Sequence, residues 1–193
     1  MHALAAPTLA ATLWPAGTHR ALRVLLLAVA GTMLLWLSAK VQVPSWPVPM
    51  TMQTYVVLCL AAAYGWRLGV ATMLLYLAEG AAGMPVFAGT PEKGVGLAYM
   101  IGPTGGYLVG FVVAAGLIGW LAERGWDRSI VRMAAAMALG HVVILLLGWA
   151  WLATIVGAGK AWTAGVAPFY AATVIKTALA AVTLPAIWSL IRR

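Results

Sequence analysis

The stretch TYVVLCLAAAYGWRLGVATMLLYLAEG, residues Thr54–Gly80, contains only two charged side chains, Arg67 and Glu79. It is typical of the whole chain of 193 residues, which is 64% hydrophobic and 8% charged, whereas a soluble domain carries about 25% charged residues. The stretch therefore indicates an integral membrane protein. Its two apolar runs are short and only GWR separates them, so we predict a tight, tilted hairpin of two membrane helices.

Further apolar runs on both sides of this hairpin predict an all-α bundle of six transmembrane helices. They form one membrane domain at residues 21–193. Residues 1–20 lack the basic start and the apolar run of a secretory signal, and Pro7 and Pro15 should break any helix there, so we predict a short cytoplasmic tail. We place the six spans at residues 21–39, 50–65, 68–82, 104–122, 133–157 and 166–190.

The basic residues predict the orientation of the bundle. If both termini lie inside, all eight arginines fall in inner segments, whereas the outer loops contain three of the four lysines, Lys40, Lys93 and Lys160. The fourth lysine, Lys176, lies within span 6. Cytoplasmic segments of membrane proteins are enriched in basic residues, so this pattern favours an N-in, C-in topology.

Two outer loops are elaborate, whereas the inner connections are short. The first, at residues 40–52, contains three closely spaced prolines and cannot remain helical. The second, at residues 83–103, is long for a loop without secondary structure, and such loops are commonly functional. Because it contains Phe87, Tyr99 and Met100, we predict that it packs down as a lid. We therefore expect the outer face to bind the substrate.

The sequence lacks the motifs of several kinds of chemistry. No H-E-x-x-H, G-x-S-x-G or P-loop motif occurs, so transport would need a separate ATPase. The single cysteine, Cys59, excludes an internal disulfide and a cysteine metal site. His141 is the one plausible base for an intramembrane enzyme, but a lone polar residue in a bundle more often bonds a neighbouring helix. We predict no catalytic residue, cofactor or metal.

The net charge is +8, and the basic residues that produce it lie where the membrane topology predicts them. We therefore predict the lipid bilayer as a partner and no nucleic acid.

Lys176 lies about ten residues into span 6, near the middle of the membrane at about 1.5 Å per residue. A lysine there costs roughly 2.5–3.5 kcal/mol on insertion scales. It could pair internally with Glu79, or face a cavity and bind a substrate carboxylate or carbonyl group. Glu79 could itself be a pocket wall or a solvated rim. Gln53 offers a donor and an acceptor beneath the two outer loops.

The segment MIGPTGGYLVGF begins span 4 with an unusually permissive backbone. Gly105 and Gly106 would allow a tight turn that brings backbone N–H groups at a helix N-terminus to an anionic or carbonyl oxygen. Alternatively, the segment is a plain helix entry with Thr104 as the cap. Tyr107 and Phe111 follow on one helical face. We predict a small, dry pocket for a partly apolar ligand with an anionic or carbonyl group.

Three blocks of the sequence resemble the BioY family: PVPMTMQT at Pro47–Thr54, LYL and GAAGMPVFAG within Leu75–Gly89, and GPTGGYLVGF at Gly102–Phe111. BioY proteins are the biotin-specific S components of energy-coupling factor (ECF) vitamin transporters. The resemblance implies a six-helix S-component fold in the bacterial cytoplasmic membrane. It also implies high-affinity biotin binding from the outside, followed by uptake.

The resemblance further implies protein partners. A transmembrane coupling protein and two ABC-type ATPases would drive inward release as the S component topples in the membrane. A homo-oligomer is a further possibility. An S component for another small vitamin, and an intramembrane enzyme, are the alternative functions.

Site residues transfer from the family one at a time. The pattern P-F-x-P-G-D-x-x-K matches at Lys176, but its aspartate position holds Thr173 and its Pro-Gly pair is Ala171–Ala172. The family's small residues four apart on span 1 are also incomplete here, because Thr32 follows Ala28. The coupling contact and the partner of the lysine therefore stay open. The predicted substrate-binding residues are Lys176, Thr173, Gln53, Phe87, Gly105, Gly106, Tyr107 and Glu79.

Overall fold

The computed structural model describes residues 6–15, 17, 19–43 and 48–191, and most of them are helical. The principal helices of this part are α2 (Arg20–Lys40), α3 (Gln53–Tyr64), α4 (Trp66–Ala81), α6 (Gly105–Ala122), α7 (Ile130–Val156) and α9 (Tyr170–Ile191). Shorter helices precede or join them: α1 (Leu9–Leu13), α5 (Gly96–Met100) and α8 (Ala158–Gly165). Two 3₁₀ turns, Trp126–Arg128 and Ala167–Phe169, precede α7 and α9.

Four helical segments of the described chain are long and apolar enough to cross a membrane: α2, α6, α7 and the segment Ala158–Ile191. Helix α3 has 12 residues and α4 has 16, which gives lengths of about 18 and 24 Å. Both are shorter than the hydrocarbon core of about 30 Å. The chain is a multi-pass membrane protein in which the two predicted short helices are indeed short.

Helices α3 and α4 form the predicted hairpin. Gly65 alone connects them, with φ of 80°, a left-handed value that disfavours any residue with a Cβ. A Cβ there would also lie 2.5 Å from Glu123 Oε1. The helices run back along each other, because Gln53 at the start of α3 bonds Tyr76 near the end of α4.

Helix α6 packs against α3, α4 and α7 and forms much of the core. Glycines let α6 and α7 approach closely. A Cβ on Gly106 would lie 2.4 Å from Leu147 O, and one on Gly148 would lie 2.3 Å from the Tyr107 ring. Such small-residue contacts are typical of paired membrane helices, and they hold the start of α6 firmly against α7.

The small residues of α2 pack within the chain. Ala28, Gly31, Thr32 and Leu35 are all buried, and a Cβ on Gly31 would lie 2.6 Å from Thr72 Cγ2 of α4. The incomplete small-residue stripe of span 1 therefore forms a contact with α4.

The first predicted outer loop contains a two-stranded antiparallel ladder. Strand β1 (Gln42–Val43) pairs with β2 (Met50–Thr51). This ladder departs from the all-α prediction, because extended backbone beside the prolines can pair where helix cannot continue. Residues 44–47, which include two of the three prolines, lie outside the described residues.

The second predicted outer loop, residues 83–103, is termed the lid and packs down as predicted. Phe87 and Tyr99 are buried, and their stacked rings have centroids 5.0 Å apart. At the end of α2, Lys40 Nζ donates to Phe87 O at 3.2 Å and to Thr90 O at 2.9 Å. These contacts tie the lid, including α5, to the bundle.

The N-terminal segment packs at the opposite end of the bundle from the lid. Helix α1 forms between Pro7 and Pro15, so the expectation that these prolines break any helix is wrong. A five-residue helix fits between them, and Thr8 Oγ1 caps it by accepting from Ala11 N at 3.2 Å. Arg23 Nη2 donates to a backbone carbonyl of α1 at 2.9 Å. The first five residues of the predicted tail lie outside the described residues.

Candidate ligand-binding site

A cavity lies beneath the lid and encloses about 50 Å³. Its walls come from β2, α3, α6, α7, α9 and the lid, and they are mainly apolar and aromatic with a few polar groups. This composition is typical of small-molecule sites. The lining residues are Val48, Pro49, Thr51, Gln53, Thr54, Ala88, Tyr99, Thr104, Tyr107, Leu108, Phe111, Ile144, Leu145, Phe169 and Lys176.

Lys176 brings a positive charge to this lining and is 6% exposed. Its Nζ donates to Thr51 O at 2.5 Å and to Thr54 Oγ1 at 3.2 Å. These contacts replace the alternative pairing with Glu79. An ammonium has three N–H donors, and within the described residues Lys176 Nζ donates only to these two oxygens, so one N–H is left for a ligand. Because a buried charge without a counter-charge is costly, the site favours an anionic ligand group.

Gln53 lines the cavity at the start of α3 and is 4% exposed. Its Nε2 donates to the Tyr76 hydroxyl at 2.7 Å, and that hydroxyl donates to Val86 O of the lid at 2.7 Å. Tyr76 is fully buried and lies behind the lining. Hydrogen bonds thus connect the cavity wall to the lid through α4.

Tyr107 and Phe111 line the cavity from one face of α6, as predicted from their spacing. The Tyr107 hydroxyl donates to Gly165 O at 2.7 Å, and its ring centroid lies 6.3 Å from that of Phe169. The tyrosine is therefore fixed at both its ring and its hydroxyl while it lines the cavity.

Tyr99 is the aromatic residue that the lid contributes to the lining. Its hydroxyl donates to Ala88 O at 2.7 Å. Burial raises the pKa of Tyr99 above its usual value, so this hydroxyl stays protonated as a donor. Thr104 also lines the cavity, and its side chain makes no capping hydrogen bond to α6. Thr104 is nevertheless the N-cap residue of α6, because its carbonyl oxygen accepts from Tyr107 N at 3.0 Å and from Leu108 N at 3.2 Å. The plain helix entry is therefore realised through the backbone of Thr104 and not through its side chain.

Two predicted binding residues lie just outside the lining. Thr173 is half-buried on α9, one turn before Lys176. Phe87 lies behind Tyr99 and packs so tightly that a Cβ on Gly80 would fall 2.0 Å from its ring. Phe87 thus supports the wall that Tyr99 forms.

Glu79 lies in a separate groove of about 310 Å³ between α2, α4 and the lid. Thr32 Oγ1 of α2 donates to Glu79 Oε1 at 2.9 Å. The structure does not bring this carboxylate to the cavity, because it points from α4 toward α2.

Gly105 and Gly106 also lie outside the lining, since both pack against other parts of the chain. A Cβ on Gly105 would lie 2.2 Å from Met100 O at the end of α5 and 3.0 Å from Trp151 Nε1 of α7, and one on Gly106 would lie 2.4 Å from Trp151 Cβ. The permissive backbone of this segment serves the packing of α6 on α7. The segment reaches the cavity through side chains, those of Thr104 and Tyr107 among them.

His141 connects α7 to α9 and is not part of the cavity lining. Its Nδ1 donates to Met137 O at 2.9 Å and lies 3.1 Å from Thr177 Oγ1. This is the interhelical contact expected for it. Within the described ranges, no three His, Cys, Asp or Glu side chains lie close enough to hold a metal.

The sequence did not identify several lining residues. Thr54 follows the predicted Gln53 and accepts from Lys176 through its hydroxyl, so its polarity is a signal that could have found it. Thr51 accepts from Lys176 through its backbone carbonyl, which any residue would supply, so its side chain gives no such signal. Ile144 and Phe169 carry no such signal, because apolar residues are ordinary in membrane helices.

Comparison with known proteins gives a consistent picture. The family model described as the BioY family matches residues 9–193. The probable biotin transporter BioY of Pyrococcus horikoshii is 38% identical over 144 residues, which cover 75% of this chain and 83% of that protein. The biotin transporter BioY of Rhizobium etli is 37% identical over 144 residues, which cover 70% and 75% of the two chains.

A solved structure is also similar: the crystal structure at 2.1 Å of the S-component for biotin from an ECF-type ABC transporter. The TM-score is 0.77 at 19% sequence identity, over 90% of this chain and 95% of the other. At this identity the likeness shows a shared fold, which confirms the S-component fold that the sequence predicts.

Proposed function

The chain belongs to the BioY family, and on this premise we propose that it binds biotin with high affinity and takes it up across the bacterial cytoplasmic membrane. It acts as the substrate-specific S component of an ECF-type transporter and not as an enzyme. The observation that carries the proposal is the Lys176 ammonium, which is buried in a largely apolar cavity and has one N–H donor that no described residue accepts from. Biotin combines an apolar body with one carboxylate, so it complements this cavity.

In this proposal, Lys176 binds the carboxylate of biotin. Tyr107 and Phe111 pack against the apolar part of the vitamin, and Gln53 bonds its ureido group. Thr173 could join the site after a small rotation of α9.

The remaining predicted residues would act indirectly. Phe87 supports Tyr99, and Gly105 and Gly106 set the position of α6. Glu79 would stabilise the contact of α4 with α2 through Thr32.

Ligand entry requires movement. A cavity of about 50 Å³ holds a few water molecules at most, and biotin is much larger. The lid and the β1–β2 ladder are the parts of the cavity wall that do not belong to long helices. We expect them to open for biotin and to close over it, which would exclude water from the bound vitamin.

We further propose six spans with both termini inside. The described arginines support this topology, since those of α2, the α3–α4 turn and the α6–α7 connection lie at the end opposite the lid. Lys40, Lys93 and Lys160 lie at or near the lid end. This asymmetry follows the positive-inside rule. Arg192 and Arg193 lie outside the described residues.

Uptake against a gradient requires energy, and the sequence contains no P-loop. We propose that a transmembrane coupling protein and ABC-type ATPases supply it, with no cofactor on this chain. Because the small residues of α2 pack against α4, the coupling protein would contact the outward, apolar side of α2. Self-association in the membrane is a further possibility.

The test is uptake of radiolabelled biotin by biotin-auxotrophic cells that express this chain with and without the coupling subunits. We expect uptake that increases strongly with the coupling subunits and that unlabelled biotin abolishes. Absence of uptake in both strains, with the protein present in the membrane, would contradict the proposal. Uptake of labelled thiamine or riboflavin by the same cells, without uptake of biotin, would instead indicate an S component with a different ligand.

A further inference from the structure

We infer that Tyr76, a residue that does not line the cavity, determines which atom of Gln53 faces the ligand and so selects a ligand with an N–H donor. This inference rests on the proposed function, because it concerns recognition of biotin at the same cavity. It assigns Tyr76 a positioning role, since the tyrosine would act through Gln53.

The hydrogen bonds between these groups have a fixed direction. Val86 O is a carbonyl and can only accept, and the Tyr76 hydroxyl has a single hydrogen, which it donates to Val86 O at 2.7 Å. The Tyr76 oxygen can then only accept from Gln53, at 2.7 Å. The amide NH₂ of Gln53 must therefore face Tyr76.

This orientation leaves Gln53 Oε1 for the cavity. Gln53 lines the cavity, and its Oε1 accepts no hydrogen bond from the part of the chain that the structure describes. Tyr76 cannot easily turn away, because it is fully buried and meets the Phe87 ring edge-on at 5.4 Å. The cavity thus presents a fixed acceptor.

The lid contributes to this arrangement because Val86 belongs to it. When the lid is in place, its carbonyl directs the Tyr76 hydroxyl and thereby the Gln53 amide. When the lid opens, Tyr76 loses its acceptor, and the amide is free to turn. Recognition of the ligand donor is therefore coupled to closure of the lid.

A fixed acceptor in a dry cavity selects for a donor. The ureido ring of biotin carries two N–H groups, and one of them would donate to Gln53 Oε1. An analogue with an oxygen at that place would put two acceptors against each other, and a site built to bond an N–H rejects such an analogue strongly.

The experiment compares biotin with its two cyclic carbamate analogues, in each of which oxygen replaces one ureido N–H. Binding is measured by isothermal titration with the full chain in lipid nanodiscs. The wild type should bind one carbamate about 10- to 100-fold more weakly than biotin. In Tyr76→Phe the amide can turn and offer its NH₂ to the carbamate oxygen, so this ratio should fall to about threefold or less.

Two further variants separate positioning from general damage. Tyr64→Phe removes another tyrosine hydroxyl that donates to a carbonyl, Leu27 O at 2.9 Å, and it should keep the wild-type ratio. Gln53→Leu should lose the discrimination with Tyr76 in place, and adding Tyr76→Phe should then change nothing more. If Tyr76→Phe does not fold, retained discrimination in Gln53→Leu would still overturn the inference, because Gln53 would then not be the group that discriminates.

A wild-type discrimination that persists in Tyr76→Phe would overturn the inference. So would an equal loss in Tyr64→Phe, a retained discrimination in Gln53→Leu, or a wild type that binds biotin and both carbamates alike. Failure of the wild type to bind biotin at all would instead refute the proposed function.

Discussion

Lys176→Met removes the ammonium from the cavity while keeping a flexible side chain of similar length. In the wild type this ammonium is 6% exposed and bonds Thr51 O and Thr54 Oγ1. A bound carboxylate would meet its remaining donor in a place that excludes water. Loss of one partner from such a buried, hydrogen-bonded charge pair costs about 2–5 kcal/mol.

A loss of about 3 kcal/mol corresponds to roughly 150-fold weaker binding, so Lys176→Met should weaken biotin by about that factor. Its effect on folding should be small. The variant loses two hydrogen bonds, each worth about 1 kcal/mol, but it no longer buries a charge. The melting temperature should therefore change little, whereas the affinity for biotin should fall strongly.

The assay is isothermal titration of the purified variants with biotin and with biotin methyl ester, and Lys160→Met on the exposed start of α8 is the matched control. The wild type and Lys160→Met should prefer biotin over its ester, whereas Lys176→Met should bind the two alike. Biotin affinity within threefold of the wild type in Lys176→Met would refute the role of the ammonium. An undiminished preference for biotin in that variant would refute its contact with the carboxylate.

Three further predictions concern the scaffold. Gly106→Ala places a methyl group 2.4 Å from α7 atoms and should lower the melting temperature by several degrees. The control is Gly159→Ala, whose methyl group would meet no atom within 4 Å and should leave the melting temperature unchanged. Equal melting temperatures of the two variants would contradict the close α6–α7 packing. Lys40→Met removes the hydrogen bonds that hold the lid and should speed amide hydrogen exchange in residues 83–103. The control Lys160→Met should leave this exchange rate unchanged. An unchanged rate in Lys40→Met would show that other contacts hold the lid. His141→Phe breaks the contact of α7 with α9 and should lower the free energy of unfolding by about 1–3 kcal/mol. The folded variant should still bind biotin with an affinity within about threefold of the wild type. Abolished binding in a folded variant would contradict the structural role of His141.

The sequence predicts much of this molecule because a few residues impose strong physical constraints. A lysine in an apolar helix needs a polar environment, so the position of Lys176 in span 6 is enough to indicate a cavity. The tight turn at Gly65 follows from two apolar runs separated by three residues. The prolines of the first outer loop exclude helix, although they do not predict that Gln42–Val43 pairs with Met50–Thr51.

Other features depend on geometry that one-dimensional patterns do not contain. Glycines can line a ligand site or allow another segment to pack closely. Only the positions of Met100 and Trp151 show that Gly105 and Gly106 allow close packing. Glu79 and Lys176 have similar predicted depths, but they lie on different sides of the bundle, because Glu79 faces α2. The role inferred for Tyr76 is invisible in sequence, since it depends on the direction of two hydrogen bonds.

The proposed function is tested most directly by isothermal titration of the purified wild-type chain with biotin, thiamine and riboflavin. Biotin should bind with one site per chain and a submicromolar dissociation constant, and the other two vitamins should give no measurable heat at the same concentrations. Tighter binding of thiamine or riboflavin, or no binding of biotin by folded protein, would contradict the assignment of this chain as a biotin S component.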